Sequence, residues 1–287
     1  GKDVKPKPIK PPKRKNILEI KLLKVKGIRQ WLEELVEVGI VKKLKPAVLD
    51  DLIGDANLMG AQQERSYPTM PDPSSQQIRQ LLVEYIAIPL GCQMAHDTLE
   101  RVNNVLFYGP MGGGKSLMLR ALASECNAML FDLSPSNLEG KYEKAKAKQI
   151  AMAAALVAKE FTPSIIYIDE AEKLFPGGKK KARGLGAVLK KFFGEIKKKR
   201  DSYFDKPDRV VYIFSTNKPF ECSAKEMKSF FDKKIYFPYP NYSSRQKIFK
   251  ELIEMKGGSL DENFSLMTLA AITEGYTGGS VISNFSS

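Results

Sequence analysis

Residues 105–116 of the chain read VLFYGPMGGGKS. The first four residues are apolar or aromatic and predict a short buried strand. Residues 109–116 fit the pattern G-x-x-x-x-G-K-[ST], and a helix is predicted to follow over residues 117–126. Strand, glycine-rich loop and helix in this order predict a phosphate-binding loop, because the backbone N–H groups of the loop and the N-terminus of the helix both face the anion.

The loop carries the residue types that bind a nucleotide together with Mg²⁺. Lys115 would place its charge on the β and γ phosphates, and the Ser116 hydroxyl would bind the metal. We therefore predict ATP or ADP with Mg²⁺ as cofactors. A glycine-rich turn without a ligand is the alternative interpretation, and the flanking strand and helix argue against it. The predicted nucleotide-binding residues are Gly109, Pro110, Met111, Gly112, Gly113, Gly114, Lys115, Ser116 and Leu117.

A second apolar run, residues 165–168, ends in two acids, Asp169 and Glu170. A strand that ends in this way would place Asp169 beside the metal, and Glu170 could polarise the water that attacks the γ-phosphate. Many strands end in solvated acids, so the run by itself is weakly informative. Its position one crossover unit after the phosphate-binding loop makes the catalytic interpretation strong.

A third apolar strand is predicted over residues 210–214 and is followed by Ser215, Thr216 and Asn217. At the end of this strand Asn217 would lie between the first two elements and could orient the attacking water. Lys115, Glu170 and Asn217 are therefore the predicted catalytic residues. An asparagine that forms a turn before Lys218-Pro219 explains the same residue equally well.

Strands and helices alternate around these motifs, which predicts an α/β fold with a parallel sheet covered by helices on both faces. A helix over residues 77–88 is expected to end at Pro89. After Pro240 only helical patterns remain, and they predict a small helical lid. The other expected strands cover residues 128–133 and 234–237, and the other expected helices cover residues 144–159 and 185–199.

These patterns divide the chain into three parts. Residues 1–75 are expected to form a basic Lys/Pro-rich arm, a short amphipathic helix over residues 28–41 and a linker. Residues 76–238 are expected to form the large α/β nucleotide-binding domain, and residues 239–287 a helical lid that stops soon after its third helix begins. Contacts to adenine are expected in the stretch just before Ile78.

Composition narrows the classes of partner. The chain has 46 Lys and Arg against 33 Asp and Glu, for a formal net charge of +13, which favours an acidic partner. A single histidine excludes His-based metal clusters and argues against a Ser-His-Asp triad. Three cysteines without pairing or metal spacing predict a reducing compartment. No apolar run reaches membrane-spanning length, so no membrane partner is predicted.

The three motifs together resemble Walker A, Walker B and sensor 1 of the AAA ATPases. Residues 231–238 resemble the segment that closes the AAA large domain, and residues 275–280 resemble the glycine turn of its lid. The resemblance covers roughly residues 75–287. It implies the AAA fold, a magnesium nucleotide in the loop, and Ser116 and Asp169 as the metal-binding side chains.

A resemblance to a narrower family indicates where in the cell the protein acts. Residues 133–142, 169–173 and 89–91 are similar to the ciliary IQ-motif and AAA-domain proteins, a family that includes dynein regulatory complex subunit 11. This implies a cytoplasmic, cytoskeletal protein of the cilium or flagellum axoneme, whose partners are other subunits of the nexin–dynein regulatory complex. The basic runs at residues 179–183 and 197–200 would then touch tubulin or an acidic subunit, or would form solvated faces. Nucleic acid is disfavoured, because no aromatic residues interleave with the basic runs.

Two departures from the AAA pattern shape the functional hypothesis. AAA rings place arginines just before the closing Phe-Asp, and here residues 228–230 read Lys-Ser-Phe. Tyr142 stands where a substrate-gripping pore aromatic is expected, but Lys144 replaces the usual glycine, so Tyr142 is either a pore residue or a plain surface or interface aromatic. We therefore expect an ATP-binding subunit with slow or conditional hydrolysis. The alternative is an active, ring-forming AAA ATPase that remodels microtubules or protein complexes.

Overall fold

A computed structural model describes residue 22 and residues 25–55, 71–178, 180–205, 208–259 and 265–286. The Lys/Pro-rich arm over residues 1–16, part of the expected linker, and Lys179 lie outside the described residues.

Five parallel strands form one sheet. They are β1 (Asn104–Tyr108), β2 (Met129–Asp132), β3 (Ser164–Ile168), β4 (Val210–Thr216) and β5 (Lys233–Tyr236), in the spatial order β2-β3-β4-β1-β5. In the register of the three central strands, β4 pairs Phe214 with Leu106 of β1 and with Ile168 of β3. Because parallel strands end at the same edge, the loops after β1, β3 and β4 meet there, as the sequence motifs required.

Helices cover both faces of this sheet, which confirms the predicted α/β class. All seven residues of β4 are buried, as expected for a strand packed on both sides. The helices are α1 (Ile28–Glu37), α2 (Ser75–Leu82), α3 (Ile88–Gly91), α4 (Gln93–Thr98), α5 (Lys115–Glu125), α6 (Pro135–Leu138), α7 (Lys144–Glu160), α8 (Ala171–Leu174), α9 (Gly184–Lys198), α10 (Arg200–Tyr203), α11 (Ala224–Phe230), α12 (Tyr242–Met255), α13 (Leu266–Ile272) and α14 (Gly278–Ser286).

The expected helix end at Pro89 is wrong. A single π-helical turn, Val83–Ala87, follows α2, and in it the N–H of Ile88 donates to the carbonyl of Val83, five residues back. Pro89 then lies in the first turn of α3, where a missing N–H costs little. The helical path therefore continues to Gly91.

The segment before the large domain packs on it. Helix α1 buries Trp31 and Leu35 and lies against α7. The chain then runs along the edge strand β2, where Lys42 N–H donates to Leu130 O at 3.0 Å and Asp132 N–H donates to Ile40 O at 2.7 Å. An edge strand exposes unpaired backbone groups, so this contact protects β2 from pairing with another chain.

Helices α12, α13 and α14 form the lid, as predicted from the helical patterns after Pro240. Ile248, Phe249, Leu252 and Val281 form its small core. The buried Arg245 donates to Ala270 O at 2.9 Å and to Pro240 O at 2.8 Å. These hydrogen bonds connect α12 with α13 and with the segment between β5 and the lid. Among the helices of the described segments, none is long and apolar enough to cross a bilayer.

Candidate nucleotide site

The glycine-rich loop follows β1 and adopts a backbone that side chains would disturb. Gly109, Gly112 and Gly114 have φ angles of 146°, 80° and 97°. A Cβ added at Gly109 would lie 2.1 Å from Phe237 O, and one at Gly114 would lie 2.6 Å from a methyl carbon of Leu52. The loop is therefore a close-fitting cradle built for glycine, of the kind that lets backbone N–H groups surround a phosphate.

Lys115 is the first residue of α5, and only 7% of its surface is exposed. Its Nζ donates to the carbonyls of Gly109 at 2.9 Å and Pro110 at 2.6 Å. Burial lowers the pKa of this ammonium to about 8, and the charge of Asp169 partly opposes the shift. A buried cation held by neutral carbonyls is incompletely compensated, so an anionic phosphate added here would be strongly favoured.

Asp169 follows β3 and borders the same cleft as Ser116. Its Oδ1 accepts the Glu170 N–H at 2.8 Å and the Ser215 hydroxyl, and its own N–H donates to Ser134 Oγ at 2.9 Å. A carboxylate and a hydroxyl are oxygen donors that suit Mg²⁺, which usually takes few protein ligands and completes its shell with phosphates and water. In the described part of the chain no cluster of three or more His, Cys, Asp or Glu could hold a metal alone.

The other two predicted catalytic residues differ in placement. Asn217 follows β4, is exposed and lines the cleft with Asp169, where a water-orienting residue would be needed. The carboxylate of Glu170 instead lies 2.8 Å from Lys173 Nζ and is not among the residues that line the cleft. The structure thus brings Lys115, Asp169 and Asn217 together and leaves Glu170 beside them.

The cleft has a volume of about 890 Å³ and lies between the loop, the linker and the lid. Residues 71–75 and Ile78 line it, in the stretch expected to contact adenine. Apolar side chains from distant segments also line the cleft, and such side chains suit the face of a flat base. These residues, which sequence reasoning missed, are Leu52, Ile53, Ile248 and Ile282. Only the apolar pair at 52–53, inside a stretch rich in Pro and Gly, gave a local signal.

The lid lies directly on the loop. Gly279 N–H, in the first turn of α14, donates to Gly112 O at 2.9 Å. A Cβ added at Gly112 would lie 2.5 Å from Thr277 Oγ1. The position of the lid is therefore coupled to the conformation of the loop.

The structure places Tyr142 half-buried against the core that contains Trp31 and Leu35. Burial, with a smaller effect of Glu34, raises the pKa of Tyr142 above its usual value. The neighbouring Lys141 donates to Val38 O at 3.0 Å, just beyond α1. Tyr142 thus lies close to α1 of its own chain.

The positions of the missing arginines lie at the end of α11. Lys228 and Ser229 are exposed, and Phe230 is buried. Lys233, which could have supplied a charge, lies over the ring of Tyr85 at 4.1 Å. Lys228 and Lys234, on either side of the closing Phe-Asp, are exposed.

Comparison with known families agrees with the fold and the loop. The model of the "ATPase family associated with various cellular activities (AAA)" matches residues 105–239. This chain carries an AAA domain. Within that domain, the matched region begins in β1, just before the glycine-rich loop, and ends at Tyr239, where the lid begins.

Two curated proteins are similar to the chain beyond the AAA domain itself. Dynein regulatory complex protein 11 of Mus musculus is 29% identical over 265 residues, which cover 89% of this chain and 30% of that protein. Spastin of Drosophila grimshawi is 29% identical over 243 residues, which cover 84% of this chain and 29% of that protein. The chain thus spans about 30% of the length of these relatives.

A solved structure supports the fold. The crystal structure of the FIGL-1 AAA domain in complex with ADP superimposes with a TM-score of 0.65 at 23% identity, covering 91% of this chain and 79% of that chain. The AAA domain described here therefore shares the architecture of that domain.

Proposed function

We propose that the chain is an ATP-binding AAA subunit of the ciliary axoneme, within the nexin–dynein regulatory complex, in which the nucleotide is mainly structural or regulatory. Hydrolysis in this proposal is slow or conditional. One observation carries it: loop, linker and lid enclose the cleft within one chain, while the carboxylate of Glu170 is paired with Lys173 outside it.

In this proposal, different residues bind the phosphates, the Mg²⁺ and the attacking water. Lys115 and the loop amides hold the β and γ phosphates, and Ser116 and Asp169 hold the Mg²⁺ shell. The bound metal would neutralise charge on the phosphates. Asn217 positions a water. Because the lid contacts the loop through Gly112 and Gly279, a bound nucleotide would clamp the lid against the large domain.

Slow hydrolysis is expected because a neighbouring chain would present lysines in place of an arginine finger. An arginine finger accelerates phosphoryl transfer by about 10³ to 10⁵. The exposed residues Lys228 and Lys234 could supply positive charge there, but an ammonium lacks the planar two-point geometry of a guanidinium. A ring of such chains would therefore lack most of that acceleration.

The similarity to dynein regulatory complex protein 11 supports an axonemal location and partners in that complex. A basic cleft of about 680 Å³ beside α9 supports an acidic partner, such as tubulin or another subunit. Its lysines are Lys180, Lys181, Lys190, Lys191 and Lys198. Lys190 is engaged with Glu226 at 2.7 Å, so the remaining lysines are the candidates for contact.

An active, ring-forming remodeller of microtubules or protein complexes is the second candidate. The similarity to spastin and the joint placement of Lys115, Asp169 and Asn217 around one cleft favour it.

The deciding experiment measures ATPase rate per chain over a range of chain concentrations, with Glu170→Gln as control. A rate that stays near background, with ATP still bound, supports the structural or regulatory subunit. A rate per chain that rises steeply with concentration and vanishes in Glu170→Gln would mean that subunits complete each other's sites, and the second candidate would replace the first.

Nucleotide binding itself is tested by melting the wild type and Lys115→Ala with and without Mg-ATP. Ligand at 100 times its Kd stabilises a folded protein by about 2.7 kcal/mol, so the wild type should melt higher with Mg-ATP and Lys115→Ala should not. An unchanged wild-type melting temperature contradicts the proposal.

A further inference from the structure

Two buried hydroxyls lie at the base of the cleft, and one of them, that of Ser215, belongs to a residue that lines it. Tyr167 of β3 is 8% exposed, and Ser215 of β4 is 2% exposed. The parallel register pairs Tyr167 with Ile213, so the phenol reaches two residues further along β4 to meet Ser215 on the same face. Tyr167 Oη lies 2.8 Å from Ser215 Oγ.

The direction of these hydrogen bonds is determined by proton count. Ser215 has one hydroxyl proton and donates it to Asp169 Oδ1. Tyr167 must therefore be the donor to Ser215 Oγ. The result is a directed chain from Tyr167 through Ser215 to one oxygen of Asp169.

That oxygen has no capacity left. Each carboxylate oxygen offers about two lone-pair sites, and Asp169 Oδ1 accepts both the Ser215 hydroxyl and the Glu170 N–H at 2.8 Å. Ser134 holds the residue from the other side, because its Oγ accepts the Asp169 N–H and donates to Asp132 Oδ1 at 2.5 Å. Asp169 is thus held in one orientation with Oδ2 as its available oxygen.

An acid with a single available oxygen discriminates between divalent cations. Ca²⁺ takes six to eight oxygen ligands and often binds both oxygens of a carboxylate, whereas Mg²⁺ takes six ligands in strict octahedral geometry. We propose that Tyr167 and Ser215 are positioning residues that make the cleft select Mg²⁺ over Ca²⁺, by denying Oδ1 of Asp169 to the metal. This inference rests on the proposed nucleotide binding with Mg²⁺.

The test is the affinity of the full chain for a fluorescent ATP analogue, measured in Mg²⁺ and separately in Ca²⁺. The quantity compared is the ratio of the two Kd values. Ser215→Ala leaves Oδ1 with one donor, and Tyr167→Phe leaves Ser215 without its own donor. Tyr212→Phe is the matched control, because it also removes a buried phenol hydroxyl, and Tyr212 Oη has no hydrogen-bond partner among the described residues.

Hydrogen bonds to charged groups are strong, so Ser215→Ala should lower the preference for Mg²⁺ by roughly tenfold, chiefly by improving binding in Ca²⁺. Tyr167→Phe should lower it by about threefold, and Tyr212→Phe should leave it unchanged. If the ratio of the two Kd values in Ser215→Ala and Tyr167→Phe equals that in Tyr212→Phe, the inference is wrong. The proposed nucleotide binding is unaffected by that result. Absence of Mg²⁺-dependent binding in the wild type overturns both.

Discussion

Lys173 Nζ lies 2.8 Å from Oε2 of Glu170, three residues earlier in the chain. The backbone of Glu170 has a φ of 56°, which turns the chain sharply from β3 into α8. Interaction with the Glu170 carboxylate raises the pKa of Lys173, so Lys173 is charged at neutral pH. A partly exposed ion pair is worth about 0–1 kcal/mol, which is weak enough for a ligand or partner to break.

Lys173→Ala should release this carboxylate. We expect the basal ATPase rate to rise by up to about fivefold, because removing an interaction of about 1 kcal/mol repopulates other positions of Glu170 by that factor. The affinity for ATP should stay unchanged. Lys250→Ala removes a lysine that is paired with Glu254 within α12 and is the matched control. A rate that falls in Lys173→Ala would show that the pair supports hydrolysis.

Nucleotide affinity should depend on pH above neutrality. The phosphates require the charged form of Lys115, whose pKa in the free protein is lowered by burial to about 8. As pH rises through that value the free protein loses the proton that binding requires, so Kd should increase by up to about tenfold per pH unit above 8. Titration of a fluorescent ATP analogue between pH 7 and about 9.5 measures this. A constant Kd over that range would place the pKa near its ordinary value.

The same lowered pKa has an effect on stability. Between about 8 and 10.5 the unfolded chain keeps a proton on Lys115 that the folded chain has lost. The free energy of unfolding should therefore rise with pH across this window in the wild type, relative to Lys115→Met. Urea denaturation without nucleotide measures the difference. Parallel profiles for the two proteins would contradict it.

Gly112→Ala should disturb loop and lid together. The residue has a φ of 80°, and the new Cβ would lie 2.5 Å from Thr277 Oγ1. Such strain costs about 1–3 kcal/mol, which corresponds to a melting temperature lower by roughly 2–10 °C, and nucleotide affinity should fall as well. Gly113→Ala is the control, because the atom nearest to its added Cβ, Pro110 O, would lie 3.2 Å away and its φ is not left-handed. Equal effects of the two variants would show that the lid contact is unimportant.

Trp31→Ala tests whether the segment before the large domain belongs to the folded unit. Trp31 is 2% exposed, and its Nε1 donates to Leu22 O at 3.4 Å. Loss of a buried Trp costs about 3–5 kcal/mol. We expect that loss in the free energy of unfolding within a single transition. A destabilisation below about 0.5 kcal/mol, typical of surface substitutions, would show that α1 contributes little to the core.

Local sequence determined the motifs and the strand–helix alternation. Residues 109–116 combine left-handed glycines with a lysine at the start of a helix, and few local structures other than a phosphate-binding loop accept that combination. The apolar runs at β3 and β4 needed no distant information, because a strand buried on both faces must be apolar throughout. Asp169 and Asn217 lie at the same edge of the sheet because each follows the carboxyl end of a strand and the two strands are parallel. Their catalytic and metal roles stay predictions.

Contacts between distant segments decided the rest. The helix was predicted to end at Pro89 because a proline normally breaks the hydrogen bonds of an α-helix. A π turn that begins at Val83, six residues earlier, changes this hydrogen bonding. The pairing of Glu170 with Lys173 depends on a left-handed backbone that no residue pattern marks. The closure of the cleft by Ile53 and Ile282 requires two segments more than two hundred residues apart to meet, and only packing in three dimensions specifies such a contact.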